Sequence, residues 1–88
     1  MGLMKVIGQM ERRADVMGRM AQRLGVDWSE EIAAHPDRAA GMYRGAVVTC
    51  AQCEREGDCL RWMERHETSD HTPDFCLNKE LLEGMRGK

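Results

Sequence analysis

Four cysteines in the second half of the chain are the residues whose type and spacing could carry chemistry. They are Cys50, Cys53, Cys59 and Cys76, and they read C-x2-C-x5-C-x16-C within residues 50–76. Four thiolates are enough to enclose one tetrahedral zinc ion or to hold one iron–sulfur cluster. They are also enough for two disulfide bonds. The pattern therefore predicts a site in this half of the chain, without naming the process that the site serves.

Zinc is the favoured alternative, although the five-residue gap between Cys53 and Cys59 is unusual for a zinc finger. Cys50 and Cys53 lie three residues apart, so a helix would present both thiols on one side of its last turn. Cys59 follows a short turn, and the polar loop before Cys76 is long enough to return a fourth thiol. Such a zinc site would hold the adjoining ends of three helices together. An iron–sulfur cluster is an alternative, although Leu77 stands where ferredoxin-type motifs have proline after the last cysteine.

Disulfide bonds, simple packing and a local redox pair are the remaining interpretations of the thiols. A buried cysteine is often only a small core residue, and a disulfide from the third helix to a later cysteine would close a long loop. A redox pair of Cys50 and Cys53 lacks the preceding strand and the helix N-terminus that activate thioredoxin-like thiols. His66 or His71 could replace one cysteine as a zinc ligand, although such histidines are more typical of polar surface groups.

The apolar pattern predicts an all-α fold. Apolar residues between positions 3 and 24 alternate at spacings of four and three, which is typical of an amphipathic helix with a coiled-coil-like seam. Gly25 terminates this helix, and Asp27 with Glu30 forms a capping box for a short helix over residues 28–34. The seam comprises Leu3, Ile7, Met10, Ala14, Met17, Ala21 and Leu24.

Three further helices are expected after Pro36, which suits the first turn of a helix. The third should run from about residue 36 to residue 53, and Asp58 should cap the fourth. Asn78 or Asp74 should cap the last. The chain is thus predicted to be a single domain over residues 1–88, a small bundle of four to five short helices with the cysteine cluster in its C-terminal half.

The N-terminal helix, within residues 1–26, is the candidate surface for a protein partner. Met4, Val16 and Met20 widen its apolar stripe beyond the needs of a single seam, and flexible methionine surfaces adapt to partner helices. The sequence therefore predicts a protein partner or a homodimer through this helix. Most methionines are nevertheless expected in the core, namely Met10, Met17, Met20, Met42 and Met63.

Charge and composition narrow the function classes. Residues 1–26 carry five basic and two acidic groups, whereas the rest carries eight and thirteen, so the cysteine-bearing half is acidic. An acidic half is not typical of a nucleic-acid surface. A nucleic-acid-associated regulator that uses Arg12, Arg19 and Arg23 nevertheless stays an alternative. No segment is long and apolar enough for a membrane span, and no secretory signal is evident, so we expect a cytoplasmic protein with reduced thiols.

Three motifs resemble those of a family of small bacterial proteins of unknown function. They are R-M-x-x-R-L-G-V-D over residues 19–27, C-x-x-C-x5-C-x-x-W over residues 50–62, and F-C-x-N over residues 75–78. The resemblance covers most of the chain, and family members often have proline where Leu77 stands here. It supports a four-cysteine site and implies no activity.

No catalytic motif of an enzyme is evident in the sequence. The chain shows no pattern of a nucleophile, a histidine and an acid that would form a catalytic triad, and no Gly-rich phosphate loop. The sequence therefore predicts a small non-enzymatic protein with a structural zinc site and a partner surface. A redox or sensor module that uses the same cysteines is the main alternative.

Overall fold

Five α-helices joined by loops make up the fold, and residues 2–86, which the structure describes, contain no strand. The computed structural model describes residues 2–86, and it describes the side chains of residues 8–86. The prediction of an all-α bundle is confirmed. The helices are α1 (Gly2–Arg23), α2 (Trp28–Ala34), α3 (Pro36–Ala51), α4 (Glu56–Arg65) and α5 (Lys79–Met85).

Helix α1 supplies much of the core and packs mainly against α3. The predicted seam is confirmed towards the C-terminal end of α1, where Met17, Ala21 and Leu24 are buried. The side chains of Leu3 and Ile7 lie outside the described residues. Apolar side chains at a spacing of three and four form one face of a helix, and burial of that face stabilises it more than its own propensity does.

Met20 is in the core, as predicted for most of the methionines, and Val16 is buried as well. Val16 is 4% and Met20 2% exposed, so both are part of this chain's own core. Helix α1 packs chiefly on α3 and also contacts α4, so this part of its apolar stripe serves the chain's own core. Val16 and Met20 are therefore not available to a partner.

The turn between α1 and α2 follows the predicted chemistry. Gly25 has a φ of +79°, a left-handed conformation that glycine adopts without strain. The Asp27 carboxylate caps α2 by accepting hydrogen bonds from the backbone N–H groups of Ser29 and Glu30. This cap places Trp28 in the core, where its Nε1–H donates to the sulfur of Met17 at 3.1 Å.

The boundaries around the cysteines differ from those predicted. Helix α3 ends at Ala51, so Cys53 lies just beyond it rather than in its last turn. Helix α4 begins at Glu56 with Arg55 at the cap position, so Asp58 lies inside the first turn. Its carboxylate instead pairs with the guanidinium groups of Arg55 and Arg61.

The segment between α4 and α5 runs back along α1 before it reaches the last cysteine. The backbone N–H of Ser69 donates to the Arg23 carbonyl at 2.8 Å. Asn78 occupies the predicted cap position of α5, but its side chain makes no capping hydrogen bond. Its amide instead donates to the carbonyl of Ala46 at 2.9 Å. This bond joins the start of α5 to α3, one turn before Cys50.

No helix among residues 2–86 combines the length and the apolar character that crossing a bilayer requires.

Glu83 ties α5 to the preceding loop and gives the fold a pH-dependent contact. Its carboxylate lies 2.7 Å from Lys79 Nζ and accepts a hydrogen bond from the Thr72 N–H at 3.1 Å. These contacts, led by the hydrogen bond from Lys79, lower the pKa of Glu83 from 4.5 to about 2. A lowered carboxylate pKa stabilises the fold at pH values above the unfolded pKa, and the stabilisation is lost as the pH falls towards the folded value.

We therefore expect Glu83→Gln to lower the free energy of unfolding at neutral pH. The difference from the unmodified protein should shrink between pH 4.5 and about 2. Urea unfolding followed by circular dichroism across this pH range measures it. Glu80→Gln, at an exposed position of the same helix, is the matched control. A difference for Glu83→Gln that stays constant with pH would contradict the assignment.

Candidate functional site

The first two cysteines stand where α3 ends and the chain turns away. Cys50 lies in the last helical turn, and the N–H of Cys53 donates to the Cys50 carbonyl at 3.0 Å. The N–H of Arg55 then donates to the sulfur of Cys53 at 3.4 Å. The sulfur of Cys53 thus accepts a hydrogen bond from the backbone that follows it.

Cys59 lies in α4 and faces inward. It is 9% exposed, the most buried of the four cysteines. Its N–H donates to the carbonyl of Arg55 within the first turn of the helix, which fixes its distance from the Cys53 segment. The short turn that the sequence predicts between Cys53 and Cys59 thus returns the third cysteine to the side of the first two.

Cys76 is held by hydrogen bonds at the start of α5. Its N–H donates to the carbonyl of Pro73 at 3.0 Å, and its own carbonyl accepts from the N–H of Lys79 at 3.2 Å. The nearby backbone N–H of Asn78 opposes the rise in the pKa of Cys76 that burial causes.

All four cysteines line one small cavity between α1, the end of α3, α4 and the start of α5. The cavity has a volume of about 30 Å³, enough for one or two water-sized spheres. Apolar residues of α1 form its opposite wall. The four cysteines are free thiols, with no disulfide among them. The structure thus brings the four predicted residues to one place, and their ligation of a metal stays a prediction.

Burial favours the protonated form of three of these thiols, Cys50, Cys59 and Cys76. Desolvation is the main cause that raises the pKa of Cys50, Cys59 and Cys76, and the fields of the other cysteines add to it at Cys50 and Cys59. The pKa of Cys59 reaches about 11. At Cys50 and Cys76, hydrogen bonds from Arg13 and from the Asn78 backbone oppose the desolvation. A metal that binds here must therefore displace protons.

Arg13 of α1 is the cation of the site. Its side chain is only 13% exposed, and its guanidinium donates to the carbonyl of Cys50 and to that of Cys53, the latter at 2.9 Å. These carbonyls lie at the C-terminus of α3, where the helix supplies no further N–H groups to bond them. A positive charge is stabilising at this end of a helix. Arg13 therefore fixes the turn that carries the first two thiols.

Glu56 balances the charge of Arg13 from the first turn of α4. Its Oε2 lies 3.2 Å from Arg13 Nε and 3.0 Å from Arg12 Nε. The same oxygen is buried and has no well-aligned hydrogen bond, so the pairing is one of charge rather than of directed bonds. Arg12 is 60% exposed and Glu56 only 20%, so the inner pair, with Arg13, is the better shielded from water.

The side chains as they stand do not form a closed metal cage. Within residues 2–86, no three His, Cys, Asp or Glu side chains are placed so that they could hold one ion together. The donors nevertheless fit a soft metal in kind and number, since they are four thiols on one cavity. Each cysteine has a single side-chain torsion, so rotation of thiols between staggered rotamers is the smallest change that would alter their spacing.

The two candidate histidine ligands lie elsewhere. His66 stacks on the Trp62 ring with centroids 4.2 Å apart, and its Nδ1 lies 2.8 Å from the Trp62 carbonyl. His71 Nδ1 lies 3.6 Å from Glu83 Oε1 on the exposed loop. Neither lines the cysteine cavity.

The arginines considered for phosphate contacts have partners within the fold. Arg12 pairs with Glu56 and Arg19 with Asp15, while Arg23 reaches the carbonyl of Met63 at 3.4 Å. A nucleic acid would have to compete with these contacts.

Sequence reasoning missed Arg13 and Phe75 as parts of the site. Arg13 lies one helical turn before Met17, so it stands at the edge of the buried face of α1. This spacing could have identified Arg13 as a partly buried residue from the sequence. Phe75, next to Cys76, lies under the guanidinium of Arg55 at 4.4 Å from ring centroid to carbon. This cation–π contact covers the outer side of the turn between the second and third cysteines.

Comparison with known proteins gives one match. The model of a family described as "Family of unknown function (DUF6455)" matches residues 4–88. No curated protein and no solved structure matches.

The environments of the cysteines predict an order of alkylation in reduced, metal-free protein. Cys59 should react with iodoacetamide on the order of tenfold or more slowly than Cys53, because it is the most buried and its pKa is about 11. Mass spectrometry of timed samples measures each site. The same reaction in denaturant is the control, and there the four rates should converge. Equal native rates at Cys59 and Cys53 would contradict the burial.

Proposed function

The chain belongs to the DUF6455 family, a family of unknown function whose model covers residues 4–88, and we propose a function from the chain's own residues. It is a small non-enzymatic protein in which Cys50, Cys53, Cys59 and Cys76 bind one zinc ion as a structural centre. A single observation carries the proposal: four free thiols from three separate segments line one cavity of about 30 Å³.

The size of the cavity favours a single ion over a cluster. A space for one or two water-sized spheres suits one metal ion with four sulfur ligands. A [4Fe–4S] cluster adds eight atoms and would require the helices to separate. Thiols kept reduced in the cytoplasm, where we place the protein, favour zinc over disulfide bonds.

The surroundings of the thiols support a thiolate site. The Arg55 N–H donates to the sulfur of Cys53, and the Arg13 guanidinium donates to the carbonyl of Cys50. Four thiolates around Zn²⁺ leave a net charge of −2, and hydrogen bonds from N–H groups and a buried cation offset that charge. Zinc would have to draw the thiols together by rotation, which the single torsion of each cysteine allows.

A metal here would support a thin core. Chains of this size bury only roughly 60% of their unfolded surface, so a metal is a useful supplement to packing. The ion would connect the end of α3, the start of α4 and the segment before α5 at the point where α1 packs on them. It would therefore stabilise the docking of α1, which is also the helix through which we propose that the protein binds a partner or a second copy.

We expect protein purified under reducing conditions to hold about one zinc per chain, without colour. Each Cys→Ser variant should lower the zinc affinity on the order of 100-fold or more, because one of four ligands is lost. Metal analysis and competition with a chromophoric chelator measure both quantities. Ala51→Ser is the matched control, since it places the same side chain between two of the thiols and keeps all four.

Two results would overturn the zinc assignment. Brown protein that contains iron and sulfide would instead make the site an iron–sulfur centre. Protein with neither metal nor reactive thiols, counted in denaturant, would make it a pair of disulfide bonds. Circular dichroism of each variant shows whether the helices have formed, so that loss of zinc is not confused with loss of the fold.

Arg13 tests whether the charge of the site matters. Arg13→Met keeps an unbranched apolar side chain and removes the guanidinium, so it should weaken zinc binding about tenfold or more. Arg12→Met is the matched control, because Arg12 pairs with the same oxygen of Glu56 but makes no contact with the cysteine turn. Chelator competition gives both affinities, and equal affinities for the two variants would contradict the role of Arg13.

A further inference from the structure

An apolar groove lies on the outer side of the contact between α1 and α3. It has a volume of about 340 Å³, and its apolar residues, Met10, Ala14, Tyr43, Val47 and Val48, define what we call the α1–α3 groove. Val48 is 46% exposed, one of the two large hydrophobic residues that the described part of the chain leaves in water. The groove faces away from the cysteine cavity, with which it shares no residue.

The ring of Tyr43 is held in a fixed position and gives the α1–α3 groove a rigid part. Tyr43 meets Trp28 edge to face, with ring centroids 5.5 Å apart, and Trp28 is itself buried against Met17. The ring therefore has a fixed place between the two helices. Rigid aromatic residues next to flexible methionine are common at the centre of protein interfaces.

Two opposite charges stand on opposite walls of the groove. Glu11 projects from α1 and Arg44 from α3, and both are exposed. Neither forms an ion pair with any residue whose side chain the structure describes. A surface with one acid and one base on its two sides is complementary to its own copy, because a two-fold rotation brings each acid opposite the base of the other copy.

An exposed glycine of α3 adjoins the groove in sequence without lining it. Gly45 lies between Arg44 and the Ala46–Val48 run, and a Cβ added to it would meet no atom within 4 Å. Glycine weakens a helix relative to alanine, and the fold itself does not need it here. A backbone without side chain lets another helix come near.

We infer that the α1–α3 groove is the interface of a symmetric homodimer. Two copies pack groove against groove, with Val48 and Tyr43 at the centre and each Glu11 facing Arg44 of the other copy. The inference specifies the surface of α1 that a second copy would cover, and it does not depend on zinc. The buried Val16 and Met20, on the opposite side of α1, take no part.

Charge reversal tests this arrangement more sharply than loss of apolar surface alone. Glu11→Arg and Arg44→Glu should each weaken dimerisation about tenfold or more, since each places two like-charge contacts in the dimer. The double variant restores both contacts and should recover most of the affinity. Sedimentation velocity over a wide range of concentration measures the dissociation constant, with melting temperatures to show that each variant is folded.

Two further variants complete the experiment. Val48→Glu places a charge in the middle of the interface and should yield a monomer, and its exposed position spares the core. Arg38→Glu makes the same charge change as Arg44→Glu on an exposed site of α3 outside the groove, and should leave the dimer intact. A protein that stays monomeric at high concentration would overturn the inference. A dimer that Val48→Glu and the charge reversals leave unchanged would overturn it too.

Discussion

The packing of α1 across the end of α3 is the interaction on which the rest of the structure depends. One face of α1 carries the side chains that fill the core, and the edge of the same face carries Arg13 to the last carbonyls of α3. Packing and charge therefore act at the same contact. If α1 left its place, the core would open, and the turn that holds Cys50 and Cys53 would lose its cap.

Charged side chains of alternating sign follow one another outward from the cysteine cavity. Thiols occupy the centre, Arg13 lies beside them, and Glu56 lies behind Arg13 with one buried oxygen. A buried charge is costly unless it is paired, so the buried guanidinium of Arg13 requires the carboxylate of Glu56 beside it. The outermost side chain, Arg12, is largely in water and can change with little effect on the inner ones.

The sequence allowed the helices and the four-cysteine cluster to be predicted because both follow from local rules. Hydrophobic spacing, the Asp27 cap and the Gly25 turn are set by residues close together in the chain. The contacts that assemble the site could not be predicted in this way, since Arg13 and Cys50, or Asn78 and Ala46, meet only after folding. For the same reason the extra width of the stripe could not be assigned from the sequence, since Val16 is apolar whether it meets a partner or this chain's own core, and only the fold shows that it is buried.

Met17 has a further consequence for the chemistry of the core. Its sulfur accepts the Trp28 Nε1–H, and its side chain also lines the cysteine cavity. Oxidation to a sulfoxide would turn this apolar wall into a polar and chiral one, and the damage would fall on the contact between α1 and the rest of the fold. Because Met17 is 2% exposed, peroxide reaches it only through transient openings. The rate of oxidation at Met17 is thus set by how often α1 separates from its neighbours.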